Sequence, residues 1–257
     1  MIKEKIAIID MDSVCFSIFN GNKVLDSDGK PVKVLSQSGN MVFQYIEKTE
    51  QELEESADNI IKDIMRRGEF THYIGFVKGT KTIDYKREIL PEYKSNRSKE
   101  SPKFWNFVKT YLIEKHGIYE ANGAEVDDYV NVTRLNLPNS HICAIDSDLL
   151  SLEGEHYNWR KNIWVTSTKQ EADYKLWSSV ITGTHNNTKG IPGKGIKFVE
   201  NRFQKDPIEP GEVLSCYIDH FGEHEGIKQF YQNYICCKTL EFIDGFDISN
   251  YKLREIW

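Results

Sequence analysis

Short apolar runs alternate along the chain with longer stretches in which apolar residues recur every three or four positions. Lys5–Asp10 (KIAIID) is a β-branched run ending in an acid, the pattern of a buried strand. His72–Val77 (HYIGFV) and Asn139–Ile145 repeat it. Glu50–Arg67 places Leu53, Ala57, Ile60, Ile61 and Ile64 on one helical face with acids between them. Trp105–His116 reads as another helix, with Phe104, Phe107, Val108, Tyr111 and Leu112 on its apolar side. Gly123–Asp128 opens a helix that runs through Leu135, Trp159–Thr166 reads as a hairpin strand, and Ala172–Ile181 as a helix. A glycine-punctuated loop then leads into a helix over Lys197–Phe203. Residues 20–41 predict an exposed hairpin or loop, and residues 206–257 are mixed and mostly helical. Strands alternating with helices predict an α/β fold with a largely parallel sheet.

Composition narrows the class. In 257 residues the hydrophobic share is 39% and the aromatic share 12%, too rich in large apolar side chains for a disordered or low-complexity chain. No apolar run approaches the ~18 residues of a membrane span, and no signal peptide opens the chain. A soluble, cytoplasmic protein is expected. The five cysteines have no framework spacing and read as reduced thiols. Residues His72, His116, His141 and His220 lack metal-ligand spacing.

Charge is unevenly spread. The net charge of −6 conceals two basic islands, +5 over residues 78–115 and +4 over residues 189–205, set in an acidic body. Local basic stripes can grip a polyanion even when the net charge is negative.

Candidate chemistry gathers where strands end, as functional groups do in open α/β sheets. Asp10 and Asp12 close the first strand, Asp146 and Asp148 close the third, and Glu125-x-Asp127-Asp128 opens a helix between them. So many carboxylates together are tolerable mainly with a divalent cation, and an oxygen-only set suits Mg²⁺ or Mn²⁺. In the first basic island, Leu90–Arg97 (LPEYKSNR) carries Lys94 and Arg97, which on a helix would share a face and clamp one phosphate. In the second, Gly190–Lys197 (GIPGKGIK) has the glycines that let a backbone approach a phosphate, followed by a helix N-terminus.

The order of an acid at a strand end, LPEYKxNR, GAExDD, DxD and TG-x(6)-GIPGKGIK resembles the 5′ nuclease family over residues 5–205. That family contains phage 5′–3′ exonucleases, flap endonucleases and the 5′-nuclease domain of bacterial polymerase I. The resemblance implies a PIN-like α/β core over residues 1–180, with a helical arch at about residues 84–115. It also implies a helix–three-turn–helix element and C-terminal tail over residues 181–257. Asp10, Glu125, Asp127, Asp128, Asp146 and Asp148 fall on metal-ligand positions, and Lys94 and Arg97 on arch positions that contact the scissile phosphate. Gly190, Gly193, Lys194, Gly195 and Lys197 fall on the duplex-binding turn, where K⁺ often binds. The family pattern breaks at Val77, Thr184 and Asn186, where members usually carry acids; His185, Asn186, Asp12 or Asp84 are the residues at hand to compensate.

The expected activity is divalent-metal-dependent 5′–3′ exonuclease or flap endonuclease hydrolysis of DNA or RNA–DNA hybrids. The partner would be a 5′ end, flap, nicked duplex or hybrid, met by a monomer away from any membrane, with a replication partner conceivable. The alternative is a weakened or inactive homologue that binds flapped or nicked DNA. More distantly, Ile8–Val14 (IIDMDSV) resembles the nucleophile motif of haloacid-dehalogenase-type phosphatases, with Asp10 as nucleophile and Asp12 as acid/base. The aromatics Phe104, Trp105, Phe107 and Tyr111 read as helix packing rather than base stacking.

Overall fold

In this computed structural model, residues 4–19, 24–35, 39, 41–44, 46–97, 103–204 and 207–255 are described. In chain order the first half contains β1 (Ile6–Asp10), α1 (Met11–Phe19), β2 (Lys33–Leu35), β3 (Met41–Phe43), α2 (Glu50–Gly68), β4 (His72–Lys78), α3 (Asp84–Ile89) and α4 (Trp105–His116). Then follow β5 (Tyr119–Ala121), α5 (Val126–Asn136), β6 (Ser140–Cys143), β7 (Gly154–Asn158), β8 (Ile163–Ser167), α6 (Lys169–Thr182), α7 (Ile196–Phe203), α8 (Pro210–Phe221) and α9 (Glu223–Cys237).

The main sheet runs β5-β4-β1-β6-β7-β8, parallel throughout except for the hairpin that adds β8. β1 sits at its centre, with Ile6 opposite both His72 and Ser140, and all five of its residues are buried. That explains why it reads as a continuous apolar run rather than an alternating one. Alternate residues still serve different faces. Ala7 and Ile9 meet Val14 and Ile18 of α1, Leu53, Ala57, Ile61 and Ile64 of α2, and Val108 and Leu112 of α4. Ile8 joins Ile74, Phe76 and the α5 residues Val126, Tyr129 and Val130 on the other face. Each such side chain contributes roughly 1.5–3 kcal/mol on burial.

Local signals fix the helix ends. The Thr49 hydroxyl accepts from Glu52 N and the Glu52 carboxylate from Thr49 N, a reciprocal cap that starts α2; Thr168 and Glu171 do the same for α6. A third apolar cluster lies among α6–α9, where Trp177, Val180, Ile181, Val199, Phe203, Val213, Tyr217 and Phe230 pack together.

One expectation needs correction. The segment Leu90–Arg97 is not helical: α3 ends at Ile89, and residues 91–96 form successive turns. Pro91 disfavours helical backbone at Leu90, and Lys94 has φ +55°, a left-handed conformation. Residues 206–257 are mixed and mostly helical, as expected, through α8 and α9; beyond them the described tail has a 3₁₀ turn at Ile248–Asn250. The tail packs on the sheet. Leu240, Ile243, Phe246, Ile248, Tyr251 and Leu253 pack on the sheet face covered by α5, and Arg254 pairs with Tyr73 alongside β4. In the arch region, α3 and α4 are present, and residues 98–102 between them lie outside the described residues. No described helix is long and apolar enough to cross a membrane, and all five cysteines are free thiols.

Candidate active site

An open cleft of about 990 Å³ lies at the carboxyl ends of β1, β4 and β6. Asp10, the last residue of β1, is buried; its Oδ1 accepts from the backbone N–H of Asp12 (3.0 Å) and Ser13 (3.3 Å), which caps α1. Asp12 reaches across to β4, where its Oδ1 accepts from Lys78 N at 2.8 Å. Asp146 follows β6 and caps a 3₁₀ turn, accepting from Asp148 N at 2.9 Å. Asp127 enters from the first turn of α5. All five carboxylates line the cleft.

Their electrostatics follow from crowding. Burial, then Asp12 and Asp146, push the Asp10 carboxyl up to about 7. Burial, then Asp10 and Glu125, hold Asp127 well above the ordinary carboxylate range. Among the described residues no three acids, histidines or cysteines are placed to hold an ion as they stand. The donor set nonetheless fits a hard divalent ion. It is all oxygen, and a cation here would offset the burial and the neighbouring charges that raise Asp10 and Asp127.

Glu125 and Asp128 do other work. Glu125 Oε2 accepts from Lys86 Nζ at 2.7 Å and from Tyr93 OH at 3.0 Å, and Oε1 accepts from Lys94 Nζ. Burial would raise the Glu125 carboxyl, but Lys86 and then Lys94 overcome it and bring it down to about 2. Burial likewise opposes the Lys86 charge, and Glu125 and Asp128 outweigh it. Asp128 does not line the cleft. Its Oδ2 accepts from Tyr85 OH (2.8 Å) and Glu125 N (2.9 Å), and its Oδ1 from Leu240 N (2.8 Å). Both oxygens are thereby committed to tying α5 to α3 and to the C-terminal tail.

The basic turn and the neutral loop after α6 are bound to each other. Lys94 N donates to Asn186 O (2.9 Å), Asn96 Nδ2 to His185 O (2.8 Å), Asn187 Nδ2 to Glu92 O (3.1 Å) and Ser95 Oγ (2.8 Å), and Arg97 Nη2 to Asn186 Oδ1 (2.5 Å). Lys94 and Arg97 thus both line the cleft without sharing a helix. Val77 is wholly buried in the core, and Asp84 does not line the cleft, whereas Asp12 does.

The glycine-rich segment divides in two. Gly190 is buried, and a Cβ there would stand 2.4 Å from Gly183 N and Ile181 O, so it serves a crossing of two backbones. Gly193, Gly195 and Lys197 are exposed and Lys194 half-exposed, around the N-terminus of α7, about which no side chain closes.

Three features had no sequence signal. Lys86 is only 3% exposed although its α3 reads as a short polar helix. Tyr93 closes the same buried pocket. Phe16 of α1 is 53% exposed and lies 5.1 Å, ring to ring, from Trp105 at the cleft. Phe104, Phe107 and Tyr111 instead pack against the core, as does the other side of Trp105.

No family model matches the sequence, and no curated protein does. Solved structures match over nearly the whole chain. The bacteriophage T5 flap endonuclease, in a pseudo-enzyme–product complex with DNA and metal ions, has a TM-score of 0.63 at 14% identity, covering 91% of this chain and 91% of that one. The T5 5′-exonuclease with zinc bound has 0.61 at 14%, covering 91% and 86%. The catalytic core of Rad2 in complex with DNA substrate has 0.50 at 13%, covering 90% and 72%. This chain therefore has the fold of the 5′ nucleases, a mixed α/β core on a mostly parallel sheet.

Proposed function

We propose that the chain is a divalent-metal-dependent nuclease that cleaves phosphodiesters at the 5′ ends or flaps of DNA. The observation that carries this reading is that Asp10, Asp127 and Asp146, near enough to act on one another's charge, line one open cleft with Lys94 and Arg97. Asp10, Asp127, Asp146 and Asp148 would hold the ion, Mg²⁺ or Mn²⁺. When bound, it supplies Lewis-acid activation of water and neutralisation of phosphate charge. Arg97 presents a planar set of donors to the phosphate oxygens, and Lys94 a mobile point charge that must leave Glu125 to reach them. Glu125 positions these lysines rather than touching the ion. Phe16 and Trp105 offer a stacking surface for an unpaired base beside the carboxylates. Lys194 and Lys197, with the α7 amides, grip the duplex backbone.

A DNA-binding homologue without catalysis is the second reading, favoured by one observation: Thr184 and Asn186 bring no charge to the cleft. End-labelled 5′-flap and nicked duplexes separate the two, incubated with Mg²⁺ and then Mn²⁺, with Asp146→Asn/Asp148→Asn as control and binding scored on the same samples. Product near the flap junction, absent from the control, is expected. Binding without product establishes the second reading, and neither binding nor product refutes both.

A further inference from the structure

The cleft is divided by charge, and the division limits how many ions it can take. Asp10, Asp12, Asp127, Asp146 and Asp148 come from the ends of β1 and β6 and the starts of α1 and α5. The loop Thr184–Thr188, which brings Thr184 and Asn186 to the cleft, carries no carboxylate, and the neutral ligands it offers are already engaged. Asn186 Oδ1 accepts from Arg97, and His185 Nε2 lies 3.4 Å from the same Arg97 nitrogen. Thr184 Oγ1 is bonded to Thr188 Oγ1 (2.8 Å) and accepts from Asn186 N (3.2 Å). The backbone carbonyls of His185 and Asn186 are taken by Asn96 and by Lys94 N. Glu125 is occupied by two lysines and a tyrosine.

A guanidinium remains charged at any pH at which the protein folds, so a divalent ion added at this loop would face the Arg97 charge and find no anionic ligand from the loop. Catalysis with two ions places one near each of the attacking and leaving oxygens. Here the loop after α6 supplies no free ligand for a second ion. We propose that the cleft takes a single divalent ion, held by Asp10, Asp127 and Asp146, and that Arg97, seated on Asn186, is the fixed positive charge beside the neutral loop. A phosphodiester is then gripped between one ion and one guanidinium, whose forked donors match two phosphate oxygens. This inference rests on the nuclease reading and specifies its site.

The test is the number of Mn²⁺ ions bound by the metal-free full chain, titrated with Mn²⁺ alone and read by electron paramagnetic resonance of the free ion and by calorimetry. One ion per chain is expected, lost in Asp127→Asn/Asp146→Asn. In Arg97→Gln/Thr184→Asp/Asn186→Asp, checked for folding by circular dichroism, a second ion is expected. Two ions on the unaltered chain overturn the single-ion site and leave the nuclease reading intact. No ion on the unaltered chain overturns both. A folded triple variant that still takes only one ion overturns the role given to Arg97 and its loop, and should that variant not fold, the count on the unaltered chain decides alone.

Discussion

Removing the Lys86 ammonium tests whether the floor of the cleft is held by a buried ion pair. Lys86 Nζ lies 2.7 Å from Glu125 Oε2, and the two side chains are 4% and 8% exposed. The Glu125 carboxyl moves from 4.5 down to about 2 despite its burial. At 1.36 kcal/mol per unit, that is roughly 3 kcal/mol in favour of the ionised form. Lys86 and Lys94 share it, and Lys86 is the larger contributor. Lys86→Met keeps the apolar stem and deletes the charge, leaving Glu125 buried against Lys94 and Tyr93 alone. Breaking a buried pair from one side costs about 3–5 kcal/mol. Adding Glu125→Gln removes the orphaned charge, so the double variant should lose less than the sum of the two single losses by about 2 kcal/mol. Urea unfolding at pH 7 of the four proteins gives this coupling. Glu125 has a depressed pKa in the fold, so its contribution is complete above about pH 4.5 and is lost as the pH falls towards 2. The coupling should shrink over that range. Additivity within ~0.5 kcal/mol at pH 7 would refute the pair as a stabilising unit.

Asp10 should behave in the opposite sense. Its pKa rises from 3.8 to about 7 on folding, so ionisation costs stability progressively as pH climbs through that window, by up to about 4 kcal/mol. Asp10→Asn should therefore stabilise the protein in EDTA at pH 8, with little effect at pH 4, as urea midpoints would show, while abolishing Mn²⁺ binding. Phe16→Ala should weaken binding of a duplex carrying an unpaired 5′ nucleotide by about 1–3 kcal/mol and leave blunt duplex unaffected in fluorescence anisotropy. Truncation after Lys238 removes the Leu240 amide from Asp128 and uncovers the α5 face of the sheet. It should lower the thermal midpoint of the whole chain and expose Tyr119 and Tyr129 to solvent quenching.

Much of the fold is legible in the sequence because its signals are local. The β-branched runs around Ile8, Ile74 and Ile142 specify three adjacent parallel strands, and the spacing of Leu53, Ala57, Ile61 and Ile64 specifies the face that α2 buries. Thr49 with Glu52 writes a helix start within four residues. The acids at strand ends are legible for a related reason: once strands are parallel, their last residues must lie along one edge of the sheet. Asp10, Asp127, Asp146 and Asp148 come to the cleft accordingly.

Tertiary structure alone decided what each charged group does there. Glu125, Asp127 and Asp128 are indistinguishable as a motif, yet one holds two lysines, one faces the cleft and one is spent on Tyr85 and Leu240. Lys86 meets Glu125 across 39 residues, Arg97 meets Asn186 across 89, and Leu240 meets Asp128 across 112. Nothing periodic links such partners. Their pairing follows from which backbone segments the packed sheet and helices bring together, and burial then sets the sign and size of each interaction. The sequence determined where carboxylates and bases would gather; the packing determined which pair with one another and which line the open cleft.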